Sequence, residues 1–276
     1  MSSKAFAPAN ISCIFKIYEN KNPRWMGSYG LGFTLNEGVI VSASKAKRNE
    51  VVFNGHSISF PTVKFVVEKL TKEKVRVDIK SKLPLGCGFG LSGASALASA
   101  YAINKLLNLK KSNKELAIIA HTAEVKNMTG LGDVVNQYCG GFCLKLKPSS
   151  YFEVKKLPMN NLNVYCKYFG KISTKSVITN KKLKNCINKS ASVALKKIKK
   201  LLKTKNIRFG YIIKISKGFA ADSSLLKDKQ TIETIKDIEK NNGNASMIML
   251  GNAVFSEKPF RSALLFKISG KGAHLI

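Results

Sequence analysis

The sequence predicts an α+β fold in two units, residues 1–148 and 149–276. Three observations carry this. Strand-type and helix-type runs are mixed without the regular alternation of a parallel βαβ sheet. Turn residues cluster at Pro148-Ser149-Ser150. Beyond that cluster the composition changes, and from Lys145 to Lys205 Glu153 is the one acid among many lysines.

In chain order, Ile11-Ser12-Cys13-Ile14-Phe15-Lys16-Ile17 is rich in β-formers and reads as the first of several short strands over 4–60. Residues 20–32 are polar and glycine-rich, include Pro23 and Trp25, and predict a loop. Residues 38–42 and 51–53 predict strands, with Asn54-Gly55 as a hairpin turn. Pro61 suits the first turn of a short helix ending near Leu70. Val75, Val77 and Ile79 alternate with polar residues, as in a half-buried strand. The Ala- and Leu-rich run 92–109 predicts a helix. Ser112-x-x-Glu115 is a capping box that opens another, 113–126. Met128-Thr129-Gly130-Leu131-Gly132-Asp133 breaks that helix into a loop, and 141–147 looks like a strand. Residues 183–202 form a lysine-rich amphipathic helix. Helical spacing returns over 209–220 and at Ile232, Ile235 and Ile238, and 263–268 is a late strand.

Composition bounds the function. A formal net charge of +31 favours polyanionic ligands and opposes self-association. A hydrophobic content of 45% fills a real core and argues against global disorder. The six cysteines, at 13, 87, 139, 143, 166 and 186, contain no C-x-x-C pair and read as reduced, buried thiols rather than a disulfide framework or metal site. The three histidines are far apart. No stretch approaches a membrane span and the N-terminus lacks an apolar signal core, so a cytoplasmic protein is expected.

The central stretch runs from Leu83 through Pro84, Gly86, Gly88, Gly90, Leu91, Ser92, Gly93, Ala94 and Ser95. It lies between a strand and a helix. Its four glycines let the backbone approach a ligand, and free N–H groups with the helix dipole favour a phosphate at the helix start. Gly88-x-Gly90-x-x-Gly93 matches the dinucleotide fingerprint only literally, because the acidic residue about 20 positions on is missing. There is no Gly-Lys-Ser/Thr, so it is not a Walker loop.

Acids are scarce. Between Asp78 and Glu153 stand only Glu115, Glu124 and Asp133, and the capping box accounts for the first. Glu124 sits late in its helix, where the dipole disfavours an anion. An exposed Glu and a turn Asp explain the pattern as well as function does. Phosphoryl transfer has use for both: Glu124 with a loop Ser would hold Mg2+, and Asp133 would orient the acceptor hydroxyl and take its proton.

The glycine stretch resembles the second motif of the GHMP kinase superfamily, Pro-x-x-x-Gly-Leu-Gly-Ser-Ser-Ala. Its form here, Gly86-Cys87-Gly88-Phe89-Gly90-Leu91-Ser92-Gly93-Ala94, is similar to that of the archaeal pantoate kinase family. Three further segments agree in order: Ala7-Pro8-Ala9-Asn10-Ile11-Ser12, Thr129-Gly130-Leu131-Gly132-Asp133 followed by Gly140-Gly141, and Met249-Leu250-Gly251 with Val254-Phe255. The resemblance implies a two-domain GHMP kinase fold, with a ribosomal protein S5 domain 2-like N-terminal domain and a ferredoxin-like C-terminal domain. It implies ATP and Mg2+ as cofactors and an ATP site at Pro84, Gly86, Gly88, Gly90, Leu91, Ser92, Gly93, Ala94 and Ser95. It also implies Glu124 and Ser92 as metal ligands and Asp133 as the catalytic residue. Ser92 is preferred to Ser95 because it lies within the family pattern; helix N-capping is the other role open to either. Family kinases are often dimers.

Three positions depart from the pattern. Asn10 stands for its His, Ala9 for its Gly, and Tyr29 for an Arg that is able to hold a carboxylate by two hydrogen bonds. The implied activity is phosphorylation of pantoate to 4-phosphopantoate for coenzyme A synthesis. The alternatives are a related kinase for homoserine or a mevalonate-type alcohol, and a nucleic-acid-binding protein driven by the basic half.

Overall fold

The computed structural model describes residues 2–204 and 207–276. Two long antiparallel strands open it, β1 (Ser2–Tyr18) and β2 (Gly27–Lys45). The short strands and the 20–32 loop expected here are corrected: the true loop ends before Gly27. Register shifts between Pro8 and Asn10 and between Ser12 and Ile14 reset the side-chain alternation, so one strand reads as fragments. The glycines of 27–32 mark close backbone approach rather than a turn. A Cβ on Gly32 would lie 2.6 Å from the Ile11 carbonyl oxygen.

Next come β3 (Glu50–Phe53) and β4 (His56–Ser57), turned at Asn54 and Gly55 with φ of 49° and 88°, as the hairpin signal requires. Helix α1 (Pro61–Leu70) starts on its proline, and β5 (Val75–Lys80) buries Val75, Val77 and Ile79. Helix α2 (Leu91–Leu106) is followed by α3 (Asn113–Lys126), whose capping box forms as expected. A short helix, α4 (Asp133–Cys139), precedes β6 (Phe142–Lys145) and β7 (Lys155–Leu157).

The remainder runs β8 (Asn163–Lys171), α5 (Thr174–Thr179), α6 (Lys181–Leu201), α7 (Phe209–Asp222) and α8 (Lys229–Lys240). It ends with β9 (Ala245–Met247), β10 (Gly251–Ser256), β11 (Leu264–Lys267) and β12 (His274–Leu275). The lysines of α6 face outward except Lys184, which is largely covered and pairs with Glu19, while Ile187, Ala191, Ala194 and Ile198 face in.

The large sheet has the order β12-β1-β2-β5-β3-β4, with β6 beside β2 and β7 beside β6. Among the described residues, only β3 and β5 pair in parallel. The smaller antiparallel sheet runs β11-β8-β10-β9. Two strands from beyond residue 148, β7 and β12, belong to the large sheet. The core is continuous across both sheets. Phe33 packs tilted or edge-on against Phe142, Phe209 and Phe255, with ring centres 5.0–5.7 Å apart, and Phe15 of β1 meets Phe219 of α7 at 5.7 Å.

Helix α2 lies at the centre, against β1, β2, α1 and α3. It is buried on nearly every side, which explains a sequence of Ala, Ser and Gly with little amphipathic period. This burial fixes where α2 begins, and so fixes the site.

Candidate active site

The glycine stretch joins β5 to α2 and lines a cleft with the middle of β1, the α3–α4 connection, and the Ile172, Thr174 and Met249 side of the C-terminal half. Gly86, Gly88 and Gly90 all have positive φ. Gly90, at 62°, is the cap of α2 and provides no side-chain hydrogen bond to its first turn. The opening N–H groups of a helix have no intrahelical acceptor, so α2 presents donors and the positive end of its dipole to the cleft. The loop is held from behind. The Asn10 N–H donates to the Phe89 carbonyl at 2.9 Å, and Gln137 Nε2 donates to the Gly90 carbonyl at 2.7 Å.

Gly86, Gly88, Gly90, Leu91 and Ser92 line the cleft. Pro84, Gly93, Ala94 and Ser95 do not form part of its lining. Ser95 is fully buried on the core side of α2 and its hydroxyl has no hydrogen-bond partner among the described residues. Neither Ser92 nor Ser95 caps the helix, since the cap is Gly90.

Glu124 is buried, and its carboxylate faces two glycines. A Cβ on Gly93 would lie 2.7 Å from Oε2, and one on Gly130 would lie 2.5 Å from it. Oε2 has no hydrogen-bond partner among the described residues. Hydroxyls lead from it to the cleft: Thr129 lies 3.5 Å from Oε1, Thr62 3.1 Å from Thr129, and Ser92 3.3 Å from Thr62. Burial, reinforced by Asp133 and only weakly opposed by Thr129, raises the Glu124 carboxyl well above the ordinary range. A buried carboxylate oxygen left without a donor, with hydroxyls nearby, suits a hard cation such as Mg2+.

Asp133 was expected in a loop, but it is the first residue of α4. Seven residues are too few for a periodic pattern to declare a helix. Asn10 Nδ2 donates to Asp133 Oδ1 at 2.6 Å, and the Ser12 hydroxyl donates to the same oxygen at 3.3 Å. Burial raises the Asp133 carboxyl, while Lys145, Asn10 and Ser12 oppose the rise. A Cβ on Gly90 would lie 3.2 Å from Asp133 Cγ, so the acid and the start of α2 face one another with only a glycine between them.

Lys145, which the sequence reading did not single out, is buried behind Asp133. Its Nζ donates to the Gly132 carbonyl at 3.2 Å and to Asn136 Oδ1 at 3.1 Å. Burial lowers its pKa and Asp133 opposes the fall. Ser28, on the cleft wall, shares the neighbourhood of Gly132 with it. Among so many lysines, Lys145 has one distinguishing sequence signal: it ends the apolar run Phe142-Cys143-Leu144. Tyr29 packs edge-on against Tyr18 at 6.0 Å and does not line the cleft.

Among the described residues no group of His, Cys, Asp and Glu forms a metal cluster, and no helix is long and apolar enough to cross a membrane. Cys13, Cys87, Cys143 and Cys166 are buried free thiols, and Cys139 and Cys186 are partly exposed ones.

Residues 58–141, which contain the loop, both acids and α4, match the family described as GHMP kinases N terminal domain. The chain is 32% identical to pantoate kinase of Methanocaldococcus jannaschii over 91% of its own length and 90% of that protein. It is 30% identical to pantoate kinase of Methanospirillum hungatei over 91% and 86%. A solved structure described as a phosphotransferase related to the CoA biosynthesis pathway superposes with a TM-score of 0.85 at 26% identity, covering 100% of this chain and 98% of that one. Mevalonate diphosphate decarboxylase from Enterococcus faecalis shares the fold, with a TM-score of 0.75 at 16% identity over 100% and 99%. A helix start opposed by a buried acid, on this fold, defines a GHMP-type small-molecule kinase. The chain belongs, within that class, to the pantoate kinase family.

Proposed function

We propose that this chain transfers the γ-phosphoryl group of ATP to the primary hydroxyl of pantoate, giving 4-phosphopantoate for coenzyme A synthesis. Relatives named pantoate kinase, matched over about nine-tenths of both chains, support the substrate. A homoserine kinase of Sulfurisphaera tokodaii matches only 38% of this chain, which supports pantoate over homoserine.

The observation that carries the reaction is the facing of Asp133 and the start of α2 across Gly90. In this reading the donors of Gly90, Leu91, Ser92 and Gly93 hold the transferring phosphates, and Pro84, Gly86, Gly88, Ala94 and Ser95 shape the turn and helix that present them. Mg2+ would be held by Glu124 and Ser92, where it would offset charge on the β- and γ-phosphates. Asp133 accepts a hydrogen bond from the acceptor hydroxyl and takes its proton as the oxygen bonds to phosphorus and ADP leaves. Asn10 and Ser12 keep the carboxylate aimed and favour its ionised form.

A hydroxy acid also brings a carboxylate. Ser28 lines the cleft beside Gly132 and the buried Lys145 ammonium lies next to that glycine, so this pair would answer the carboxylate, Lys145 taking the task that Tyr29 cannot perform. A cytoplasmic location goes with this activity, and the exposed lysines of α6 serve as a solvated surface. The test is ADP release from ATP and Mg2+ with pantoate, homoserine, mevalonate or no acceptor. Turnover restricted to pantoate is expected; turnover with another alcohol would move the substrate, and none with any would remove the reaction.

A further inference from the structure

A nucleoside triphosphate brings about four negative charges, and one divalent cation leaves about half of them unanswered. The glycine loop has none to offer: no charged residue stands between Lys82 and Lys105. The two acids of the cleft add negative charge whenever they are ionised. Lys145 stands away from the loop, beside the Gly132 carbonyl and Asn136, at the acceptor end given to it above. The cleft therefore calls for a cation from outside the loop.

The C-terminal half brings one. Strand β8 ends at Lys171, directly over the loop. A Cβ on Gly86 would meet Cγ and Cδ of Lys171 at 3.2 Å and its Cβ at 3.5 Å, so the lysine stem lies along the face that Gly86 leaves bare. The next residue fixes this placement, because the Ile172 N–H donates to the Gly86 carbonyl at 3.2 Å. From the other side the β9–β10 turn closes on Gly88, whose Cβ would lie 2.8 Å from Ile248, 2.9 Å from the Met249 carbonyl and 3.1 Å from the Gly251 nitrogen. Gly251 pairs with Lys171 across β10 and β8, so one sheet edge holds both sides of the loop. Lys171 is exposed and has no ion-pair partner among the described residues. Its charge is felt at Cys87 inside the loop, where it partly offsets the effect of burial on the thiol.

Resting on the kinase reading above, we propose that Lys171 is the phosphate-binding cation of this site, supplied by the C-terminal half to a glycine loop that carries none. A point charge on a flexible stem suits this: it follows the β- and γ-phosphates from donor to product without demanding one fixed geometry. The placement also explains why position 86 is glycine, since a side chain there would lift the lysine stem off the loop as well as strain a backbone at φ 83°.

The experiment is equilibrium binding of a non-hydrolysable ATP analogue, ADP and AMP to the full chain, each over a range of salt. Lys171→Met keeps the packing on Gly86 and removes the charge; Lys171→Arg keeps the charge. The Met variant is expected to bind the ATP analogue and ADP at least tenfold more weakly, to bind AMP as the parent does, and to show a shallower salt dependence, with Arg restoring most of the loss. A Met variant that binds all three nucleotides like the parent overturns the proposal, as does an equal loss for AMP, which would make the contact structural. If the parent chain itself binds no nucleotide, the kinase reading fails, and Lys171 with it.

Discussion

Asn10 donates to Asp133 at 2.6 Å while its own carbonyl accepts from Asn136 at 2.8 Å. The amide is thereby fixed in one orientation, with its N–H aimed at the acid. Strand β1 thus helps to favour the ionised form of an acid on a helix 123 residues later. Removing this hydrogen bond in Asn10→Ala deprives the carboxylate of a donor worth about 1.5–3 kcal/mol, as for hydrogen bonds to charged groups. As the proposed base, Asp133 would act only when ionised, and burial already raises its pKa. Activity therefore falls as pH drops through that raised value, and Asn10→Ala is expected to move the acidic limb to higher pH. A pH–rate profile of kcat/KM checks it; a limb that stays put would show that Asn10 does not act on Asp133.

Asp133→Asn keeps the size and hydrogen-bonding capacity of the side chain but removes the base. Turnover should fall by roughly 10²–10⁴-fold. Binding of ATP, measured by calorimetry, should change little. A variant with near-normal kcat would take Asp133 out of the reaction.

Gly90→Val places a branched side chain at φ 62°, within 3.1–3.3 Å of Gln137, Asp133 and Asn10. The loop has to move away from the start of α2, and ATP affinity should drop by more than about 100-fold, or 2.7 kcal/mol. Circular dichroism and melting establish that the variant is folded. Parent-like ATP affinity in a folded variant would refute the loop assignment.

Glu124 is the site's pH-linked liability. In the unfolded chain it ionises near the ordinary value of 4.5, whereas in the folded chain burial keeps it protonated to higher pH. Between those two values the folded state holds one more proton, so its contribution to stability declines as pH rises. Glu124→Gln should flatten that decline in a series of thermal melts without Mg2+, and should raise the Mg2+ concentration needed for half-maximal turnover. Mg2+ binding to the parent should also release protons, detectable by calorimetry in buffers of different ionisation enthalpy. An unaltered Mg2+ titration in the variant would leave Glu124 structural.

Lys145→Met removes the buried cation at similar volume. The KM for pantoate is expected to rise at least tenfold with little change in the KM for ATP, and the acidic limb of the pH profile should move upward, because Lys145 opposes the rise in the Asp133 pKa. Steady-state kinetics with each substrate varied in turn separates these effects. Equal changes in both KM values would place Lys145 in the fold rather than in the acceptor pocket.

Elements with a local signature were legible in the sequence. Pro61, the Ser112–Glu115 box and the Asn54-Gly55 turn act within a few residues, and each appears where expected. The α2 start was legible because glycines and a helix pattern adjoin. What was hidden depends on distant partners. The bulges in β1 exist only in its pairing with β2, and α4 is too short to show a period. Lys145 differs from the surface lysines by its burial, to which the apolar run before it is a weak guide, since the exposed Lys267 also ends such a run. Thr62 and Thr129 stand 67 residues apart, and it is the packing of α1 against α3 that brings the Thr62 hydroxyl to that of Thr129, beside Glu124.

The pairing of β12 with β1 has a consequence for synthesis. The outer edge of β1 cannot close until residue 275 has left the ribosome, tens of seconds after residue 18 at roughly 5–20 residues per second. The same late segment lies against α4: the Ala273 N–H donates to the Gln137 carbonyl, and Gln137 in turn holds the Gly90 carbonyl. The nascent chain thus carries an open strand edge and a less braced glycine loop until β12 arrives. A nascent chain stalled before residue 270 should be protease-sensitive around α4 and unable to retain nucleotide. The absence of β12 is therefore expected to be felt at α4 and at the glycine that opens α2.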